Sequence, residues 1–174
     1  MNIYCQLAKQ AIRNYLKNGT VMKPSPNLPT ELLSCSCGVF ITIKKGGALR
    51  GCIGTWLPTK ANIAEEIISN AIVAATRDNR FLPLTLDELD EINIEVSLLT
   101  QPELIESFTN HNPRLCGLIV QSESSPYKVG LLLPDLDGID NPEKQFSLCC
   151  QKADIDPSKE SVKLYRFRVI KYQS

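Results

Sequence analysis

With 174 residues, 43% hydrophobic and 22% charged, the chain has enough apolar material for one well-buried core and is expected to form a single domain. Nineteen Lys plus Arg balance nineteen Asp plus Glu, so no net field draws the chain onto nucleic acid or anionic lipid, and nucleic-acid binding is unsupported. No apolar run reaches membrane-spanning length and no secretory core opens the sequence, so its seven cysteines point to a reducing, cytoplasmic setting with free thiols.

In chain order, Ile3, Tyr4, Leu7, Ala8, Ala11, Ile12, Tyr15 and Leu16 recur at helical spacing, with Gly19 as the stop. Residues 20–36 carry Pro24, Pro26 and Pro29 and have no period, so they are expected to wrap the surface. Residues 39–44 alternate, and Lys45-Gly46-Gly47 turns them into residues 48–55, predicting a hairpin. Asn62 and Glu65 form a capping box for a helix carrying Ile63, Ile67, Ala71 and Ala74 toward Arg77. Thr85 and Glu88 repeat that spacing before a short turn. Residues 92–98 then alternate as a half-buried strand in the same sheet as the hairpin. A second hairpin is expected from residues 116–121 and 127–133, a helix capped by Asn141 with Pro142 at its first position, and one closing strand over 162–172. Hairpins outnumber strand-helix-strand units, so the class is α+β with a mostly antiparallel sheet.

Glycines inside Arg50-Gly51-Cys52-Ile53-Gly54 weaken a strand and mark a bulge or a close approach. Two readings follow: an anion-binding loop or reactive thiol, with Arg50 favouring the thiolate of Cys52, or a kinked strand carrying a packed cysteine. If Arg50 lowers its pKa and solvent reaches it, Cys52 should alkylate before the other six. The segment Arg77-Asp78-Asn79-Arg80-Phe81 could hold an anion or simply end its helix. The one histidine, His111, is read as a loop residue rather than the base of a dyad with Cys52. Cys35-Ser36-Cys37 and Cys149-Cys150 lack zinc spacing, Asp135-Leu136-Asp137-Gly138 lacks the rest of a calcium loop, and no phosphate or dinucleotide fingerprint is present. Neither a metal nor another cofactor is therefore expected.

Leu49-Arg50-Gly51-Cys52-Ile53-Gly54 resembles the signature hexapeptide of the AMMECR-type domain family, and Ala74-Ala75-Thr76-Arg77-Asp78-Asn79-Arg80-Phe81 its second signature. Gly117-Leu118-Ile119-Val120, Gly130-Leu131-Leu132-Leu133-Pro134, Gln145 with Lys152-Ala153, and Tyr165-Arg166-Phe167-Arg168-Val169 are similar to the bacterial branch called the AmmeMemoRadiSam system protein A. The departures are local: Asn79 for a common proline, the extra Leu82, Cys116 at an often aromatic place, and Asp154 for a helix-ending glycine. The resemblance implies one AMMECR-type domain over residues 1–174, with room for two subdomains, and a curved, barrel-like, mostly antiparallel sheet flanked by helices. It is also compatible with the chain being a segment of a Memo-type fusion.

The implied partners are a Memo-type, dioxygenase-like protein and a radical SAM protein acting in a modification pathway. The favoured reading is a noncatalytic anion, peptide or partner-binding module using Arg50, Gly51, Gly54, Arg77, Asp78, Arg80 and Phe81. Its alternative is an enzyme or enzyme subunit using Cys52 as a reactive thiol, and a third reading treats both signatures as fold determinants. Arg50 and the Arg77 to Phe81 segment are expected side by side at one cleft.

Overall fold

The computed structural model describes residues 2–174, which divide into two compact units. The first runs up to Leu98 and takes in Ile170–Ser174; the second is Leu99–Val169. Each holds one open, four-stranded sheet, and every strand pairing described is antiparallel.

In the first unit, α1 (Ile3–Asn18) is capped by the Asn2 side chain and ends at Gly19, whose φ of 69° is the left-handed turn glycine permits. β1 (Val39–Lys45) and β2 (Ala48–Thr55) form the expected hairpin. Gly46 and Gly47, with φ 57° and 83°, supply the two positive-φ positions of its turn. α3 (Ile63–Thr76) starts at Asn62, whose side chain accepts the Glu65 N–H at 2.9 Å. β3 (Ile92–Leu99) lies beside β1, and β8 (Val169–Gln173) completes the order β2-β1-β3-β8. Val39, Ile41 and Ile43 of β1 join Ile94 and Val96 of β3 in the core, beneath Ala8, Ala11 and Ile12 of α1 and Ile67, Ala71 and Ala74 of α3. α3 therefore packs against both α1 and the hairpin, which explains why so little of it is wet.

The second unit contains β4 (Glu103–Ile105), β5 (Gly117–Ser122), β6 (Val129–Leu132), α4 (Pro142–Ala153) and β7 (Val162–Phe167), with sheet order β4-β7-β5-β6. Its own core gathers Leu118, Val120, Leu132, Cys149, Ile155 and Leu164, flanked by the stacked rings of Phe108 and Phe146.

Three expectations change, and one strand appears that none foresaw. The barrel-like sheet is replaced by two open sheets with free edges at β2, β8, β4 and β6; at β2 the outer backbone groups of Cys52 are taken by side chains instead of a further strand. The segment 20–36 is not wholly irregular, because Thr30–Ser34 forms the five-residue α2, with Leu32 fully buried. The closing strand is two strands, since Thr100 takes Arg168 on both sides: its hydroxyl accepts the Arg168 N–H at 2.9 Å and its N–H donates to the Arg168 carbonyl at 2.9 Å. The three-residue β4, preceded by Pro102 and mostly exposed, is too short to show a period.

Candidate functional site

The hexapeptide occupies β2, an edge strand, and its irregularity lies where the glycine indicated. Ile43 opposes Gly51 and Lys44 opposes Leu49, so Arg50 is the extra residue of a bulge. The bulge breaks alternation and sends the half-buried Arg50 side chain along the sheet edge to the turn Asp87–Asp90. There its Nε donates to Glu88 Oε1 at 3.1 Å and its Nη2 to Oε2 at 3.0 Å, a two-pronged charge-assisted pair. Nη1 also donates to the Leu82 carbonyl at 2.8 Å. The Arg50 pairing, with support from the Thr85 N–H and Lys45, brings the Glu88 carboxyl down to about 2. Glu88 is the residue that sequence reasoning missed: read only as the capping-box partner of Thr85, it is also the counter-ion of Arg50.

Gly51 is buried because α3 ends against it. A Cβ there would stand 2.5 Å from the Ala74 carbonyl oxygen, too close for any side chain. Gly54 faces Phe40, its cross-strand partner, and a Cβ would meet that ring at 2.2 Å. Both glycines are thus demanded by packing inside the unit.

Just past α3, the buried carboxylate of Asp78 turns back onto β2. Asp78 Oδ2 accepts the Cys52 N–H at 2.8 Å and Arg80 Nη2 at 2.7 Å, while Oδ1 accepts Arg80 Nε at 2.9 Å. Arg80 Nη2 donates to the Cys52 carbonyl at 3.2 Å. Together the two side chains satisfy one N–H and one C=O of an edge residue, as a neighbouring strand would. The Arg80 guanidinium, seconded by the Cys52 N–H, holds the Asp78 carboxyl far below the usual range despite burial. The Phe81 ring lies under Arg80, 5.5 Å from the guanidinium carbon.

Cys52 itself is half-buried, its Sγ 3.4 Å from the Thr42 hydroxyl. Among the described residues, no carboxylate or imidazole hydrogen-bonds that sulfur. His111 is spent within the second unit, where its buried ring places Nε2 3.1 Å from the Cys116 carbonyl and desolvation lowers its pKa. All seven cysteines are free thiols, and no group of three or more His, Cys, Asp or Glu suited to a metal ion occurs among the described residues.

Arg77 goes elsewhere. It adjoins Asp78, yet its exposed side chain lines a groove of about 450 Å³ that includes neither Arg50 nor Arg80. Of the segment expected beside Arg50 at one cleft, Asp78 and Arg80 lie against the strand that carries Arg50, whose own guanidinium reaches the Leu82 carbonyl, while Arg77 lines the groove instead. Its floor is Tyr15 of α1, Ile68, Ile72 and Val73 of α3, and Met22; Lys23 and Lys60 join Arg77 as its cations. Among the described residues, none of these three cations makes an ion pair. The backbone at Lys60 is held by the fully buried Glu66, which accepts the N–H groups of Thr59 and Lys60 at 2.7 Å each and the hydroxyls of Thr55 and Thr59. Burial opposes ionisation of Glu66, but these donors prevail and its pKa is lowered.

Comparison with known proteins gives a consistent result. A Thermotoga maritima protein is 43% identical over 171 residues, covering 98% of this chain and 97% of that one. A Clostridium acetobutylicum protein is 40% identical over 98% of this chain, which spans only 36% of that longer protein. The crystal structure of an uncharacterized protein from Pyrococcus horikoshii superposes with a TM-score of 0.88 at 35% identity, covering 98% of this chain and 89% of that one. The AMMECR1 family profile matches residues 5–172, and the chain belongs to the AMMECR1 family.

Proposed function

We propose that this chain is a noncatalytic binding module for an anionic ligand or partner segment, working in the cytoplasm beside Memo-type and radical SAM proteins in a modification pathway. The observation that carries the reading is the division of charge at the second signature. Asp78 and Arg80 neutralise each other on the β2 edge, whereas Arg77 stands unpaired with Lys23 and Lys60 over an apolar floor. An apolar cleft with a few convergent charges is the usual form of a ligand site.

The thiol reading has less support. A nucleophilic cysteine needs a base or an uncommitted cation beside its sulfur, and Arg50 and Arg80 are both held by carboxylates. The partners and the pathway are suggested by the resemblance to the bacterial branch. No helix among the described residues is long and apolar enough to cross a membrane.

Coexpression with the Memo-type and radical SAM proteins, followed by copurification and mass analysis of any modified product, separates the readings. Under the binding reading, Cys52→Ser retains partner capture and product, while Arg77→Glu with Lys60→Glu loses them. Loss in Cys52→Ser alone, with the fold intact, would transfer the function to the thiol.

A further inference from the structure

Resting on that reading, we infer that the occupant of the groove is a short extended peptide segment of a partner protein, apolar in the middle and acidic at both ends, lying along α3. The inference comes from where the charges sit. Lys60 precedes the first turn of α3 and Arg77 is its C-cap, so the 14-residue helix separates them. At 1.5 Å per residue that is about 21 Å. Between them the α3 residues of the lining are Ile68, Ile72 and Val73, with Glu65 and Ser69 as the two polar ones.

A compact anion such as phosphate can engage only one end of such a groove. An extended chain rises about 3.3 Å per residue, so roughly six or seven residues span it, with a carboxylate at each end and apolar side chains over Tyr15, Met22 and Val73, which keep exposed surface above the buried Ile68 and Ile72. The free surface agrees with this occupant, because Val21, 63% exposed, adds an uncovered apolar edge. Glu65 is the one acidic residue in the lining, against three cations, so charge favours an acidic guest. The buried Glu66 fixes the backbone at Thr59 and Lys60, which keeps the Lys60 end of the groove at a set distance from Arg77. An amphipathic helix would need about fourteen residues to cover the same length. Its apolar stripe would have to enter a groove of only about 450 Å³, which suits a few side chains better.

The test uses the full chain and fluorescent seven-residue peptides read by anisotropy. One carries aspartates at both ends around three leucines, one carries them at a single end, and one carries lysines at both ends. The doubly acidic peptide should bind at least about fivefold tighter than the singly acidic one, and the basic peptide should not bind. Lys60→Ala and Arg77→Ala should each weaken it by about three- to fivefold, as expected for one exposed charge contact, and raised salt should erase most of the difference. If the singly and doubly acidic peptides bind alike and Arg77→Ala weakens both, the anion-binding reading stands and the extended-segment inference is wrong. If no peptide binds while partner capture still depends on Arg77 and Lys60, the inference is again wrong and the module reading survives. Failure of both experiments removes both.

Discussion

The Asp78 carboxylate accepts the backbone N–H of Cys52 at 2.8 Å across 26 residues of sequence, and the Arg80 guanidinium that grips this carboxylate also donates to the Cys52 carbonyl. An edge strand otherwise offers such groups to any passing chain. Asp78→Ala removes an acceptor that is 6% exposed and strands both the Cys52 N–H and Arg80. The expected loss of unfolding free energy is about 3 kcal/mol, measured by urea denaturation. Because the two side chains act as one unit, Arg80→Ala added to Asp78→Ala should cost about 1–2 kcal/mol less than the sum of the single changes. Strict additivity would mean the clamp is not cooperative.

Gly51 makes a different demand. Its missing Cβ is what lets the Ala74 carbonyl approach β2, and that carbonyl is backbone, so it cannot swing aside. Gly51→Ala should cost about 2–3 kcal/mol through displacement of the end of α3. It should also lower hydrogen-exchange protection at Arg77, whose N–H closes the helix on the Val73 carbonyl. A substitution tolerated within about 0.5 kcal/mol would contradict this packing.

Acid should unlock the Arg50–Glu88 pair. The Glu88 carboxyl lies at about 2 in the fold, against about 4.3 in an unfolded chain. A depressed carboxyl pKa adds stability that is complete above the unfolded value and vanishes as pH falls through the folded one. Asp78 is shifted in the same direction and adds to the effect. Between about pH 4.3 and pH 2, the wild-type chain should therefore lose stability more steeply than Glu88→Gln, which has already given up this pair. Parallel curves from urea titrations across that window would show that Glu88 carries no such linkage.

Much of this was legible because local rules govern it. Asn62 with Glu65, Gly46 with Gly47, and the alternation of Ile92, Ile94 and Val96 each declare an element within a few residues. The bulge was legible too, through Gly51. What escaped was long-range bookkeeping. Glu88 is 38 residues from Arg50, and its capping-box spacing with Thr85 already accounted for it. The direction of Arg77 was equally hidden, because two arginines three residues apart carry no mark saying which pairs with Asp78. The split at Arg168 depends on Thr100, a residue 68 positions away.

The cysteines supply the last prediction. A reactive Cys52 requires a cation free to stabilise its thiolate, but Arg50 is spread over both oxygens of Glu88 and Arg80 over both oxygens of Asp78. Access is also partial, since Cys52 is half-buried against Thr42, whereas Cys35 is exposed just after α2. Burial pushes the Cys149 thiol up to about 12 and raises those of Cys5 and Cys150, so these three should react last. Limited alkylation of the native chain at neutral pH, read by peptide mass mapping, should mark Cys35 first, with Cys52 behind it and Cys5, Cys149 and Cys150 protected until unfolding. This order departs from the expectation from sequence, in which Cys52 leads if Arg50 favours its thiolate. If Cys52 were modified ahead of the more accessible Cys35, its thiolate would have to be stabilised by a group other than the two committed arginines, and the reactive-thiol alternative would regain the stronger claim.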